Sequence, residues 1–175
     1  METPTLRRSE LAVLEELFAG LTDVEAATRQ SAAVRLRSFA TDEVRRALDE
    51  ADAAGVHHAA AGVAGDILQR ISDLVDSAEH HRKLGAIAAI SSLISLEQEL
   101  HAQMGTRFAN YLNSFIRRSD SGPEHEEIVV AAVSALGSLV KAEMGIPPDM
   151  IVDFISNALD WIRPSAKKID ELRRR

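Results

Sequence analysis

Three segments of this 175-residue chain resemble one another: Ser31-Ala-Ala-Val-Arg-Leu-Arg-Ser-Phe39, Gly85-Ala-Ile-Ala-Ala-Ile-Ser-Ser-Leu93 and Ala131-Ala-Val-Ser-Ala-Leu-Gly-Ser-Leu139. Their starts lie 54 and 46 residues apart. Small residues hold the first and second positions, a large apolar one the sixth, serine the eighth and a large apolar one the ninth. A likeness at a fixed period constrains the fold more than composition does, because each copy must be one unit whose apolar face its neighbours bury. Small residues on one turn let a neighbouring helix come close, while the larger ones fill the groove between helices.

The units are helical. Ile67, Leu68, Ile71, Leu74 and Val75 follow the 3.6-residue period, as do Met104, Phe108, Tyr111, Leu112 and Phe115. Ile151, Phe154, Ile155, Ala158, Leu159 and Ile162 make the cleanest stripe, and Leu11, Leu14, Phe18 and Leu21 a shorter one. No comparable alternating segment and no Asn-Gly or Asp-Gly hairpin turn occurs. Aromatic residues are only 4% of a chain rich in Ala and Leu, a pool that favours helices over strands.

Helix starts share the period. Thr22 with Glu25 and Ser121 with Glu124 fit the capping box, and Asp76 with Glu79 is its Asp variant. These starts recur at 54 and 45 residues, and Pro123 falls in a first turn, where its missing N–H costs nothing. Helix pairs at such intervals lie near the range of about 40–47 residues of HEAT and armadillo repeats. The expected fold is therefore all-α, a HEAT/armadillo-like α–α solenoid of about eight helices joined by short loops. The chain is expected to form one segment, with repeats at 6–53, 62–95 and 103–143 and a last helix at 149–163. Outer helices would span 62–76 and 103–118, inner ones 79–95 and 124–143. Ala51 to Gly65, with Gly55, Gly62 and Gly65 among alanines, is the weakest stretch; a helix is expected to about Ala53 and then a break. Gly85→Leu should overpack an inner helix and cost on the order of 1–3 kcal/mol.

Catalytic signatures are missing. The chain has no phosphate-cradling glycine motif, no protein-kinase catalytic loop or Asp-Phe-Gly, no serine elbow and no zinc-binding His-Glu-x-x-His helix. Without cysteine there is no disulfide, thiolate or Cys-based zinc site, and a reducing compartment is the default. The histidines are His57, His58, His80, His81, His101 and His125. Adjacent ones point to different helix faces, so they are read as solvated or capping groups rather than metal ligands. Glu97 and His101 have chelating spacing, but two ligands are too few and the segment is expected to be a loop. Asp42 with Glu43, and Glu126 with Glu127, are read as helix starts that complement the macrodipole. No catalytic, cofactor-binding or metal residue is assigned, and no cofactor is expected.

A net charge of −7 argues against a general nucleic-acid surface, and no apolar run approaches the roughly 20 residues that span a bilayer. Met1-Glu2-Thr3-Pro4 lacks the features of a signal peptide, so the expected location is cytoplasmic. Lys167, Lys168 and Arg173 to Arg175 are read as solvating a helix end rather than contacting acidic lipid or protein. Phe154 and Trp161 are read as core rather than as a partner anchor. Nothing near the last stripe has the look of a polar cap, and if the chain is a truncated solenoid, that stripe is expected to be partly exposed.

From about Leu68 to Ile162 the sequence resembles a known family. Arg82-Lys-Leu-Gly-Ala-Ile-Ala-Ala-Ile-Ser-Ser-Leu-Ile94, then Thr106-Arg-Phe-Ala-Asn-Tyr-Leu112, then Ala158-Leu-Asp-Trp-Ile162 are similar, in order and spacing, to the amino-terminal HEAT region of the target of rapamycin (TOR) Ser/Thr kinases. Arg-Phe-Ala-Asn-Tyr-Leu is the most specific piece; within the first sixty residues Glu25-Ala-Ala-Thr-Arg29 is the best local likeness. Ala51–Gly65 and the Arg-rich end depart from the pattern. The resemblance implies a non-catalytic fragment preceding the FAT region and kinase domain of a phosphatidylinositol-3-kinase-related protein. It implies a scaffold role in TOR complexes 1 and 2, with the regulatory-associated subunit of complex 1, a Rheb-like small GTPase and the rest of the TOR chain as partners. It also implies access to the lysosomal or vacuolar membrane through those partners, without insertion. The alternatives are an independent HEAT-type adaptor and a small helical enzyme, the latter requiring a polar cluster that the sequence does not offer.

Overall fold

The structure, a computed structural model, describes residues 8–50, 56–94, 98–117 and 122–173. Every regular element among them is a helix: α1 (Arg8–Leu21), α2 (Ala26–Glu50), α3 (Val56–Val75), α4 (His80–Leu93), α5 (Gln98–Arg117), α6 (Pro123–Lys141) and α7 (Pro148–Arg173). Their neighbours sort them into two layers. In one, α2, α4 and α6 adjoin in that order; in the other, α3, α5 and α7 do so, and across the layers α3 packs on α2 and α4, and α5 on α6. Arg70 ties α1 to α3, its guanidinium 3.7 Å from the Glu15 carboxylate and 5.9 Å from the centre of the Phe18 ring. The fold is the expected all-α solenoid.

The three repeated segments fall on α2, α4 and α6, all in one layer. Their second and sixth positions (Ala32, Ala86 and Ala132; Leu36, Ile90 and Leu136) are all buried in the core. The eighth-position serines Ser38, Ser92 and Ser138 turn their hydroxyls back onto carbonyls of their own helices, at Val34, Ala89 and Ser134. A serine there satisfies itself locally and leaves packing to its apolar neighbours. Sequence register and burial register thus coincide.

Two close approaches lock the layers. A Cβ on Gly85 of α4 would lie 2.0 Å from the carbonyl oxygen of Leu21, the last residue of α1. A Cβ on Gly105 of α5 would lie 2.3 Å from the carbonyl oxygen of Met144, in the corner between α6 and α7. In both places a backbone carbonyl at or just beyond the end of one helix rests on a glycine of another. The atom met is backbone, so no side-chain rotation can relieve the overlap. The α6–α7 corner itself is made by Glu143 and Gly145, at φ 54° and 67°.

Several boundaries differ from those read in the sequence. Seven helices are described rather than eight, because Asp42 and Glu43 start nothing: α2 runs unbroken to Glu50. Thr41 bonds back to the Arg37 carbonyl at 2.9 Å instead of capping, and Glu43 pairs with Arg46 one turn on, which in turn reaches Glu10 of α1. α3 starts at Val56 rather than 62 and carries Gly62 and Gly65 inside it. Each such glycine costs about 1 kcal/mol relative to Ala, but the burial of Val63, Ala64 and Ile67 holds the helix. The expected break after Ala53 lies outside the described residues. α5 starts at Gln98 rather than 103, so His101 is helical rather than in a loop; Glu97 lies outside the described residues. α7 continues ten residues past 163, through Pro164, which removes one backbone donor from the helix.

The expected capping bonds give way to turn bonds one residue on, and Glu79, which precedes α4, makes no side-chain cap bond. Thr22 donates to Ala19 at 2.8 Å and so finishes α1, while the Asp23 carboxylate accepts the Glu25 N–H at 2.8 Å. At the next corner Ser77, not Asp76, accepts the Glu79 N–H, at 3.2 Å. The period of 54 residues survives, carried by Asp23 and Ser77. At the third corner Ser121 lies outside the described residues; Gly122, at φ 130°, precedes α6, and Pro123 occupies the first turn as expected.

Candidate interaction surfaces

The polar groups form inter-helix fastenings. Arg29, almost fully buried, donates to the carbonyls of Asp23 and Val24 at 2.8 and 2.7 Å and holds the α1–α2 corner. Asn157 of α7 donates its side-chain amide to the Asn113 side-chain oxygen of α5 at 2.9 Å. Arg35 of α2 reaches Glu16 of α1 at 3.0 Å across an exposed surface.

The densest polar grouping gathers at the N-terminal ends of α4 and α6. His80 Nε2 lies 2.9 Å from the Glu127 carboxylate, joining the two helices. Its neighbour His81 turns away to Glu79, 3.0 Å distant, and Arg82 approaches the same carboxylate at 3.6 Å. The adjacent histidines thus point to different faces, as the helical spacing requires. His80 Nδ1 and His125 Nε2 are buried without a hydrogen-bond partner. Among the described residues no three His, Asp or Glu side chains converge as a metal site would require. His57, His58 and His101 lie on α3 and α5, with side chains outside the described residues.

The larger feature is apolar. Phe154 is buried, and Trp161 is partly buried against the core, as read from the sequence. The rest of that last stripe divides: Val152, Ile155, Leu159 and Ile162 are each half or more exposed. α7 therefore has two apolar faces, one turned to α5 and one open. Val130, Val133 and Val140 add a smaller exposed row on α6. The sequence reading merged the two faces of α7 into one stripe, and it missed Arg29, the His80–Glu127 link and the Asn113–Asn157 bond. The signal that separates the faces was present: Val152 and Leu159, seven apart, pair with Ile155 and Ile162 at alternating steps of three and four. The basic residues Lys167, Lys168 and Arg173 belong to the C-terminal part of α7, with side chains outside the described residues, as are Arg174 and Arg175.

Two layers of helices repeating along the chain and ending on an open apolar face define a helical-repeat protein of the solenoid class. In sequence it is similar to TOR kinases. It is 27% identical over 150 residues to the serine/threonine-protein kinase tor1 of Schizosaccharomyces pombe, covering 85% of this chain and 6% of that kinase. To the serine/threonine-protein kinase TOR of Arabidopsis thaliana it is 28% identical over 97 residues, 55% of this chain and 4% of the kinase. The chain thus spans only a small fraction of the length of the curated relatives it matches. No protein-family model matches it, and no solved structure does. Among the described residues no helix is long and apolar enough to cross a membrane.

Proposed function

We propose that this chain is a non-catalytic helical scaffold segment, of the kind that forms the amino-terminal HEAT region of TOR kinases, and that it serves protein–protein contacts in nutrient and growth signalling complexes. The observation that carries this reading is the likeness to fission-yeast tor1 over 150 residues, 85% of the chain. The pieces most specific to the resemblance support a structural part. In the Arg-Phe-Ala-Asn-Tyr-Leu run of α5, Phe108, Ala109 and Leu112 are wholly buried, and Trp161 leans on the core. Residues that resemble the family because they pack are expected of a scaffold, whose product is shape and surface.

On this reading the partners are the regulatory-associated subunit of TOR complex 1, a Rheb-like small GTPase and the remainder of a TOR chain, in the cytoplasm and, through them, at the lysosomal or vacuolar surface. The test is a pull-down of the 175-residue chain from lysate of its own source, read by mass spectrometry. Recovery of the regulatory-associated subunit or the GTPase is expected. An unrelated assembly recovered without either would make the chain an independent helical adaptor.

A further inference from the structure

α7 carries two seams, and either could have met α5. Met150, Phe154, Asn157 and Trp161 follow steps of four, three and four. Phe154 is buried, Met150 and Trp161 pack against the core, and Asn157 bonds to α5. Val152, Ile155, Leu159 and Ile162 follow steps of three, four and three and lie half or more exposed. Both spacings are those of a helix–helix seam. At roughly 100° per residue the second seam lies about 150° around α7 from the first. Asp153, Ser156 and Asp160 are exposed on a third side and enter neither.

Apolar pattern alone does not choose between the seams. The exposed one is unbroken and aliphatic; the one in use has larger side chains but an asparagine among them. α5 presents the matching irregularity. Asn113 is only 9% exposed, beside the buried Leu112, Phe115 and Ile116, and its side-chain oxygen accepts the Asn157 amide at 2.9 Å. With the other seam turned to α5, aliphatic side chains that have no donor would cover Asn113. A buried acceptor left without a partner costs more than its hydrogen bond contributes. A slip of α7 by one turn breaks the bond likewise, since Phe154 or Trp161 then comes level with Asn113 in place of the amide.

We propose that the Asn113–Asn157 pair is the selector that decides which of its two seams α7 turns to α5, and in which register. A polar pair within an apolar seam gives up some stability for a single arrangement. The choice is made at α5 and is the same whether or not further chain covers the second seam.

Trp161 is the one tryptophan and the chain has no cysteine, so each seam can be followed separately. The experiment compares the full 175-residue chain with Asn113→Leu and with the pair Asn113→Leu and Asn157→Leu, each also carrying Leu159→Cys. The readings are acrylamide quenching of Trp161 and the rate at which the Leu159→Cys thiol reacts with a thiol reagent. Asn113→Leu leaves Asn157 without its acceptor, so α7 should turn. Trp161 emission should then move to the red and quench several-fold more readily, while the Leu159→Cys thiol reacts several-fold more slowly and helical circular dichroism is kept. Adding Asn157→Leu removes the stranded amide and should return Trp161 towards its original emission. Unchanged Trp161 in Asn113→Leu would overturn the proposal, because the larger side chains of the first seam would then suffice to choose. So would an exposed Trp161 with the Leu159→Cys thiol no slower, since α7 would have come away from α5 rather than turned.

Discussion

α4 and α7 have opposite fates in one scaffold. α4 is the shorter, 14 residues, and packs against α1, α2, α3 and α6. Gly85, Ala86, Ile87, Ala89, Ile90 and Leu93 are all buried, so apolar or small residues nearly encircle its second half. α7 is the longest, 26 residues, and rests mainly on α5. It is the more amphipathic-looking sequence, yet it leaves Val152, Ile155, Leu159 and Ile162 in the open. A helix enclosed on several sides needs no clean stripe, whereas a clean stripe promises only that something should cover it. In this fold, periodicity measures how one-sided a helix is and does not measure how deeply it is held.

The comparison is most exposed to failure at matched isoleucines. Ile90 is fully buried in α4, and Ile90→Ala should cost about 2–5 kcal/mol in urea unfolding, from lost transfer energy plus the cavity left behind. A loss under about 1 kcal/mol would mean that α4 is not enclosed as described. Gly85→Ala comes next and is a test of sign. Helix propensity alone would make it stabilising by about 1 kcal/mol. The backbone carbonyl of Leu21 in the way should instead make it destabilising by about 1–3 kcal/mol. A raised melting temperature would show that α1 does not rest on α4 there. Asp23→Ala, which removes the acceptor for the Glu25 N–H at the α1–α2 corner, should cost about 1 kcal/mol in thermal melts. The smallest effect is expected from Ile155→Ala on the open face of α7, within about 0.5 kcal/mol in dilute protein. A loss there as large as at Ile90 would erase the distinction between the two helices.

Much of the fold was legible in the residues. The repeated segments marked one whole layer before any coordinates, because small residues at fixed positions are useful only where a neighbouring helix comes close. The pattern marks Gly85 as a position that cannot take a larger side chain, but not the neighbour it accommodates, a carbonyl 64 residues earlier in the chain. Helix ends were read less well. Asp42 and Glu43 look like a start, and Gly62 and Gly65 look like an interruption, because local chemistry votes without knowledge of what packs alongside. Of the surfaces, the exposure of the last stripe was anticipated in part and its division into two faces was not. The fastenings Arg29, His80–Glu127 and Asn113–Asn157 left no local signal, since their partners come from corners, other helices or both.

Taken by itself, the sequence determined the helical class and, in the repeated segments of α2, α4 and α6, the positions that face the core, because period and side-chain size are local properties written every few residues. Tertiary structure alone decided which helices run unbroken, which polar groups meet across layers, and which of the two apolar faces of α7 is buried. Those outcomes depend on a balance between a local preference of about 1 kcal/mol and burial energies several times larger. Which of them wins is settled only where distant segments come together.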